Sequence, residues 1–262
     1  MKDWGLVLAG GGAKGSYQIG VWRAIREVGL EPRIGAVSGT SIGALNMALF
    51  VQGDLRKAEQ LWASVGFEHA WPVGRAEGEG GIVSYVRNRR ALQDLIRENL
   101  DLEAVSASDM PAYACCDNGT GPEYICLNRK PGAKIMQYLL ASSAVPGVYA
   151  PVEIDGKLYR DGAFGKAEEN VPVRQLIALG FKKLLVVHLD PDQVVDVSEP
   201  EFAGVRFVQV LPSRDLGATA KLDFQWTGAL DRMQLGYRDA TLTLAPFVPF
   251  SRLLQELRHE LG

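Results

Sequence analysis

Val37-Ser38-Gly39-Thr40-Ser41-Ile42-Gly43-Ala44 is the stretch on which the reading of this chain turns. An apolar run, Ile34 to Val37, enters a Gly-x-Ser-x-Gly pattern and leaves it for a helix-like run from Ala44 to Phe50. Strand, sharp turn and helix in that order are what a nucleophile elbow requires, with Ser41 held at the tip. Gly39 and Gly43 lack the Cβ atoms that would crowd so tight a turn. The pattern is short, and a chain with 29 glycines nearly supplies it by chance, so its neighbours must decide.

Upstream, Gly5 to Ala9 is a continuous apolar run of the kind buried on both faces of a sheet, and it opens into Gly10-Gly11-Gly12-Ala13-Lys14-Gly15. A helix pattern follows, with Ile19, Val21, Trp22, Ile25 and Val28 on its apolar side and Gly29 as its stop. Two strands joined by a helix form a βαβ unit, whose strands run parallel, so the glycine loop and Ser41 are expected at one edge of the sheet. Backbone N–H groups of the glycine loop and of Ile42 can then converge beside the Ser41 hydroxyl, as an oxyanion hole needs. A competing reading is a nucleotide-binding module, because Gly10-x-Gly12-x-x-Gly15 is also a dinucleotide fingerprint. That fingerprint wants an acid at the end of the second strand, and Val37-Ser38-Gly39 stands there instead. Lys14 reads either as a charge for an anionic headgroup or as a solvated loop lysine.

Downstream, a helix is expected from Asp54 to Val65, then an irregular segment from Gly66 to Gly81 that reads as a flap or as an ordinary surface loop. Ile82 to Leu100 has helical spacing with Arg87, Arg89, Arg90 and Arg97, which suits a lipid-facing helix or, more commonly, a solvated one. Tyr113–Cys116 and Tyr124–Leu127 read as strands, and Lys134–Ser143 as a helix ending before Pro146. Asp155-Gly156 marks a type I′ hairpin. Asp161-Gly162-Ala163 follows where the returning strand ends, so this acid can be aimed into a cleft. Leu184–Leu189 and Val205–Val210 are further strands; Asp223–Leu235 and Phe250–Leu261 are expected helices. The alternation gives an α/β fold in three layers, a mostly parallel central sheet with helices on both faces, as one domain over residues 1–262.

A formal charge of −3 and a pI near 5.7 leave no basic footprint for nucleic acid. Cys115, Cys116 and Cys126 are an odd number without Cys-x-x-Cys spacing, which argues for reduced thiols rather than a disulfide framework or zinc site. The N-terminal residues do not resemble a signal peptide, and no run approaches the roughly 20 apolar residues of a membrane span, so a cytoplasmic protein is expected, peripheral at the inner membrane face when it meets lipid. Pro246-Phe247-Val248-Pro249-Phe250 and the Trp71 loop are the apolar segments expected to make that transient contact. Oligomeric state is not legible in the residues.

Gly10-Gly11-Gly12-Ala13-Lys14-Gly15, Gly39-Thr40-Ser41-Ile42-Gly43 and Asp161-Gly162-Ala163, in this order, resemble the patatin-like phospholipase family of lipid acyl hydrolases. The resemblance spans roughly residues 5 to 240 and takes in Ala141-Ser142-Ser143-Ala144-Val145-Pro146-Gly147 and Asn170-Val171-Pro172. It implies Ser41 as nucleophile, Asp161 as base and Gly10 to Gly12 as the oxyanion loop. The stretch from Asp161 to Asn170 is longer than the family's usual spacing, which bears on local loop shape. A serine is a poor nucleophile until a base takes its proton, and a carboxylate in a dry cleft, its pKa raised, can do so. The expected chemistry is hydrolysis of fatty acyl esters of phospholipids or lysophospholipids through an acyl-enzyme on Ser41, with no metal and no cofactor. Chain order also permits a Ser41, Asp161, His188 triad, against which stand the early position of Ser41 and the strand context of His188.

Overall fold

A computed structural model describes residues 2–64, 89–165, 167–217 and 226–247. The expected flap, and the expected helix over 250–261, lie outside the described residues. β1 (Trp4–Leu8) occupies the middle of the sheet, paired in parallel with β2 (Ile34–Thr40) on one side and β7 (Lys183–Val187) on the other. Beyond them β3 (Ala112–Asp117) pairs in parallel with β2, and β8 (Arg206–Val210) with β7. The remaining strands are antiparallel additions: β4 (Pro122–Cys126) on β3, and the hairpin of β5 (Val152–Ile154) and β6 (Lys157–Asp161). Asp155 and Gly156 both take positive φ at that hairpin, 52° and 78°, as a type I′ turn requires.

Side chains alternate across the sheet, which explains the uninterrupted apolar strands. Leu6, Leu8, Val37, Leu185 and Val187 face the larger core layer, whereas Val7, Ala36, Leu184 and Val186 face a thinner one. The thick layer holds α1 (Ser16–Glu27), α2 (Ile42–Gln52), α3 (Leu55–Ser64), α4 (Arg90–Asn99), α5 (Leu102–Ala107), α6 (Gly132–Ser142) and α8 (Trp226–Leu244). The thin layer is α7 (Arg174–Ala178) with the Phe202 turn. The three-layer α/β expectation therefore holds.

Several elements depart from the sequence reading. α5 and α7 are unanticipated, since helices this short carry little periodicity. α8 runs on to Leu244 rather than stopping at Leu235, because Gly236 is a packing contact and not a terminator: a Cβ there would lie 2.1 Å from the Tyr17 carbonyl of α1. Phe247 packs edge-on against Trp4 with ring centroids 5.3 Å apart, at the start of β1 and hence at the sheet edge opposite Ser41. The ring expected at a lipid interface is thus half-buried in a packing contact; residues 248–250 are outside the described residues.

Candidate active site

β2 leaves the sheet at Thr40, and the backbone reverses at Ser41 with φ 57° and ψ −124°, a strained conformation for a residue with a side chain. Close approach makes the flanking glycines obligatory. A Cβ on Gly39 would lie 2.4 Å from the Gly43 carbonyl oxygen, and one on Gly43 would lie 2.2 Å from that of Leu8. The elbow is thus pressed onto the end of β1, which brings the glycine loop alongside Ser41. The Ser41 N–H donates to Ser142 Oγ at 2.9 Å, and that hydroxyl donates to the Cys115 carbonyl at 2.7 Å, pinning the reversal to α6 and β3.

Strand register explains how Asp161 reaches this point. β4 takes one edge of β3 along its length, and β2 takes the other as far as the pair Thr40 and Cys115. β6 pairs with the next residues, Cys116 with Asp161 and Asp117 with Arg160, so it must occupy the edge that β2 has vacated. The two strands meet head-on, and the end of one, Asp161, faces the elbow of the other. Asp161 is fully buried. Its Oδ1 accepts the Ala163 N–H at 2.9 Å, and its Oδ2 is buried without a hydrogen-bond partner. Burial pushes the carboxyl up to about 6, against the Ser41 hydroxyl and the Ala163 N–H, which both pull it down. The Ser41 hydroxyl thus acts on the carboxyl without a hydrogen bond to Oδ2. Gly162 is required by the same fit, since its Cβ would sit 2.8 Å from Cys115 Sγ. Burial likewise raises the Cys115 thiol, so the buried cysteines stay protonated.

The glycine loop runs over Ser41 in a 3-10 turn, Gly12–Gly15. Behind it Gln18 donates to the Ala9 carbonyl at 2.8 Å, while Asn46 bonds the Gly15 carbonyl and Gln18 and accepts from Trp62. Among the described residues, the N–H groups of Gly11, Gly12 and Ile42 find no acceptor, whereas that of Gly10 donates to the Asn170 carbonyl at 3.1 Å. Gly10 is therefore corrected out of the set of free donors. Of the two readings of Lys14, the solvated loop lysine does not hold: the residue is buried, lines the cleft over Ser41, and lies 3.8 Å from Asp215. His188 does not complete a triad. It is fully buried past the end of β7, one ring nitrogen 2.8 Å from Gln209 Oε1, and burial lowers its pKa. Neither Ser41 nor Asp161 is among its partners.

Two cavities meet at Ser41. One, about 850 Å³ with its open mouth, is apolar and runs between α2, α3 and α4, lined by Leu45, Leu49, Leu61, Leu92, Leu95 and Ile96. The other, about 1410 Å³ with its mouth, is mixed in polarity and runs past Gly10 to Gly12, Lys14, Glu168, Asn170 and Gln193. The apolar pocket is the feature that motif reading missed; only the apolar face of α4 hinted at it. Arg89, just before that helix, lies over the Tyr149 ring and bonds the Ala150 carbonyl, whereas Arg90 and Arg97 are exposed and pair with Asp94 of the same helix. Among the described residues no cluster of His, Cys, Asp or Glu is placed to hold a metal, and no helix is long and apolar enough to cross a membrane.

The family model of patatin-like phospholipase matches residues 6–177, which include the glycine loop, the elbow and the acidic strand end. The chain belongs to the patatin-like phospholipase family. It is similar to the lysophospholipase NTE1 of Mycosarcoma maydis, 26% identical over 198 residues, covering 70% of this chain and 9% of that protein. It is similar also to patatin-like phospholipase domain-containing protein 7 of Rattus norvegicus, 25% identical over 209 residues, 74% of this chain and 14% of the relative. The chain thus spans a small part of the length of these patatin-like relatives. VipD of Legionella pneumophila aligns over 94% of this chain and 67% of its own with a TM-score of 0.46 and 13% identity.

Proposed function

We propose that the protein is a lipid acyl hydrolase that cleaves carboxylic esters through an acyl-enzyme on Ser41, with Asp161 as the base. The observation that carries this reading is the position of Ser41, beside a buried carboxylate and at the junction of an apolar pocket and a more polar cleft. Asp161 takes the hydroxyl proton as the Ser41 oxygen attacks the ester carbonyl, and the N–H groups of Gly11, Gly12 and Ile42 stabilise the oxyanion. Collapse expels the alcohol, which receives the proton from Asp161. Water activated by the same carboxylate then hydrolyses the acyl-enzyme, returning Ser41 and releasing the fatty acid.

The apolar pocket suits the acyl chain and the mixed cleft suits the alcohol portion, so phospholipids or lysophospholipids are the proposed substrates. Phe164 and Val194 are exposed apolar residues on the rim of the cleft and its neighbour. They make the catalytic edge of the sheet the side that touches lipid transiently. Released fatty acid from a lipid panel tests the reading: Ser41→Ala and Asp161→Asn should each lower turnover roughly a thousandfold while retaining wild-type circular dichroism, and full turnover in either would refute it.

A further inference from the structure

Gly10 stands between Ser41 and Asn170. A Cβ on Gly10 would lie 3.2 Å from Ser41 Cβ and 2.4 Å from Asn170 Oδ1, so the loop has no lateral freedom at this point. Asn170 closes both backbone groups of Gly10: its main-chain carbonyl accepts the Gly10 N–H at 3.1 Å, and its side-chain Nδ2 donates to the Gly10 carbonyl at 3.3 Å. The same Nδ2 donates to Gln193 Oε1, and Gln193 is tied by its own N–H to the Asp190 carbonyl in the loop after β7. Both neighbours of Nδ2 are acceptors, which fixes the amide orientation.

We infer that Asn170 is a positioning residue for the reaction, holding Gly10 so that the Gly11 and Gly12 N–H groups meet the oxyanion at Ser41. The inference rests on the role proposed above for those two donors. Stabilisation of a developing charge depends on donors already in place, and a run of three glycines does not hold itself in place. Asn170 supplies the restraint from outside the loop, without touching the reacting atoms. Asn170→Asp keeps the shape of the side chain and the main-chain bond to the Gly10 N–H but sets a carboxylate oxygen against two acceptors, so it should loosen the Gly10 carbonyl as Asn170→Ala does.

The test uses the full chain and a short-chain p-nitrophenyl ester. Both variants should lose kcat roughly ten- to a hundredfold with KM within about twofold. Affinity for a trifluoromethyl ketone, which forms a tetrahedral oxyanion adduct on Ser41, should fall by the same factor. Affinity for the fatty acid product should not change. Wild-type kcat in Asn170→Asp, or loss of ketone and product affinity together, would overturn the inference, and the aspartate variant decides it even where the alanine variant does not fold. A wild-type protein that neither turns over the ester nor takes the ketone would overturn the proposed reaction itself, and this inference with it.

Discussion

Asp161 is held against its own chemistry. A carboxyl ordinarily near 3.8 is pushed to about 6 by burial, with one oxygen left unpartnered, and Ser41 beside it is held at a positive φ. Both features disfavour the folded state, and under the proposed mechanism they give Asp161 the pKa of a base poised near working pH. Activity should therefore rise with pH through about 6 and level off above it, as the proton leaves Asp161; a profile flat between pH 5 and 7 would contradict this. The stability consequence has the opposite direction. Because the folded pKa is above the unfolded one, the folded state binds this proton more tightly, and the benefit is complete below about pH 4 and lost as pH rises through 6. Keeping Asp161 ionised at pH 7 costs on the order of 2–3 kcal/mol. Asp161→Asn should raise the melting temperature at pH 7 and not at pH 4, read by calorimetry at both.

Among the elements, α2, α3 and α4 make the apolar pocket that ends at Ser41, with Leu49, Leu92 and Ile96 nearly buried in its wall. Filling it with Leu49→Trp should depress hydrolysis of long-chain esters at least tenfold and leave acetyl esters within about threefold, measured as kcat/KM against chain length. Equal losses on both would show that the acyl chain lies elsewhere. Ser142, at the end of α6, makes a separate contribution: Ser142→Ala leaves the Ser41 N–H without its acceptor and should cost about 1–3 kcal/mol in denaturant unfolding. The strands, the βαβ unit and the elbow were legible because glycine placement and apolar runs report them locally. What was not legible is contact across the sheet. Nothing in Asp161-Gly162-Ala163 reveals that β6 enters the edge vacated by β2, or that Asn170 takes the N–H of Gly10.

The whole molecule gathers this chemistry at one edge of the sheet, where β1 and β2 end and β6 arrives. At the other edge the Phe247 ring packs against Trp4. Substrate drawn from a lipid surface should enter over Phe164 and Val194, which are exposed beside the cleft that holds Ser41. Phe164→Asp should lower activity on phospholipid vesicles at least fivefold and change activity on a soluble ester by less than about twofold; equal effects would place the lipid contact elsewhere.

The most direct measurement is a fluorophosphonate reaction followed by mass spectrometry of the digested protein, run on wild type and Asp161→Asn alongside ester turnover. The expected result is one adduct, on Ser41, with turnover and labelling rate both falling steeply in the variant. An adduct on any other residue, or undiminished turnover without the Asp161 carboxylate, would contradict a serine–aspartate acyl hydrolase.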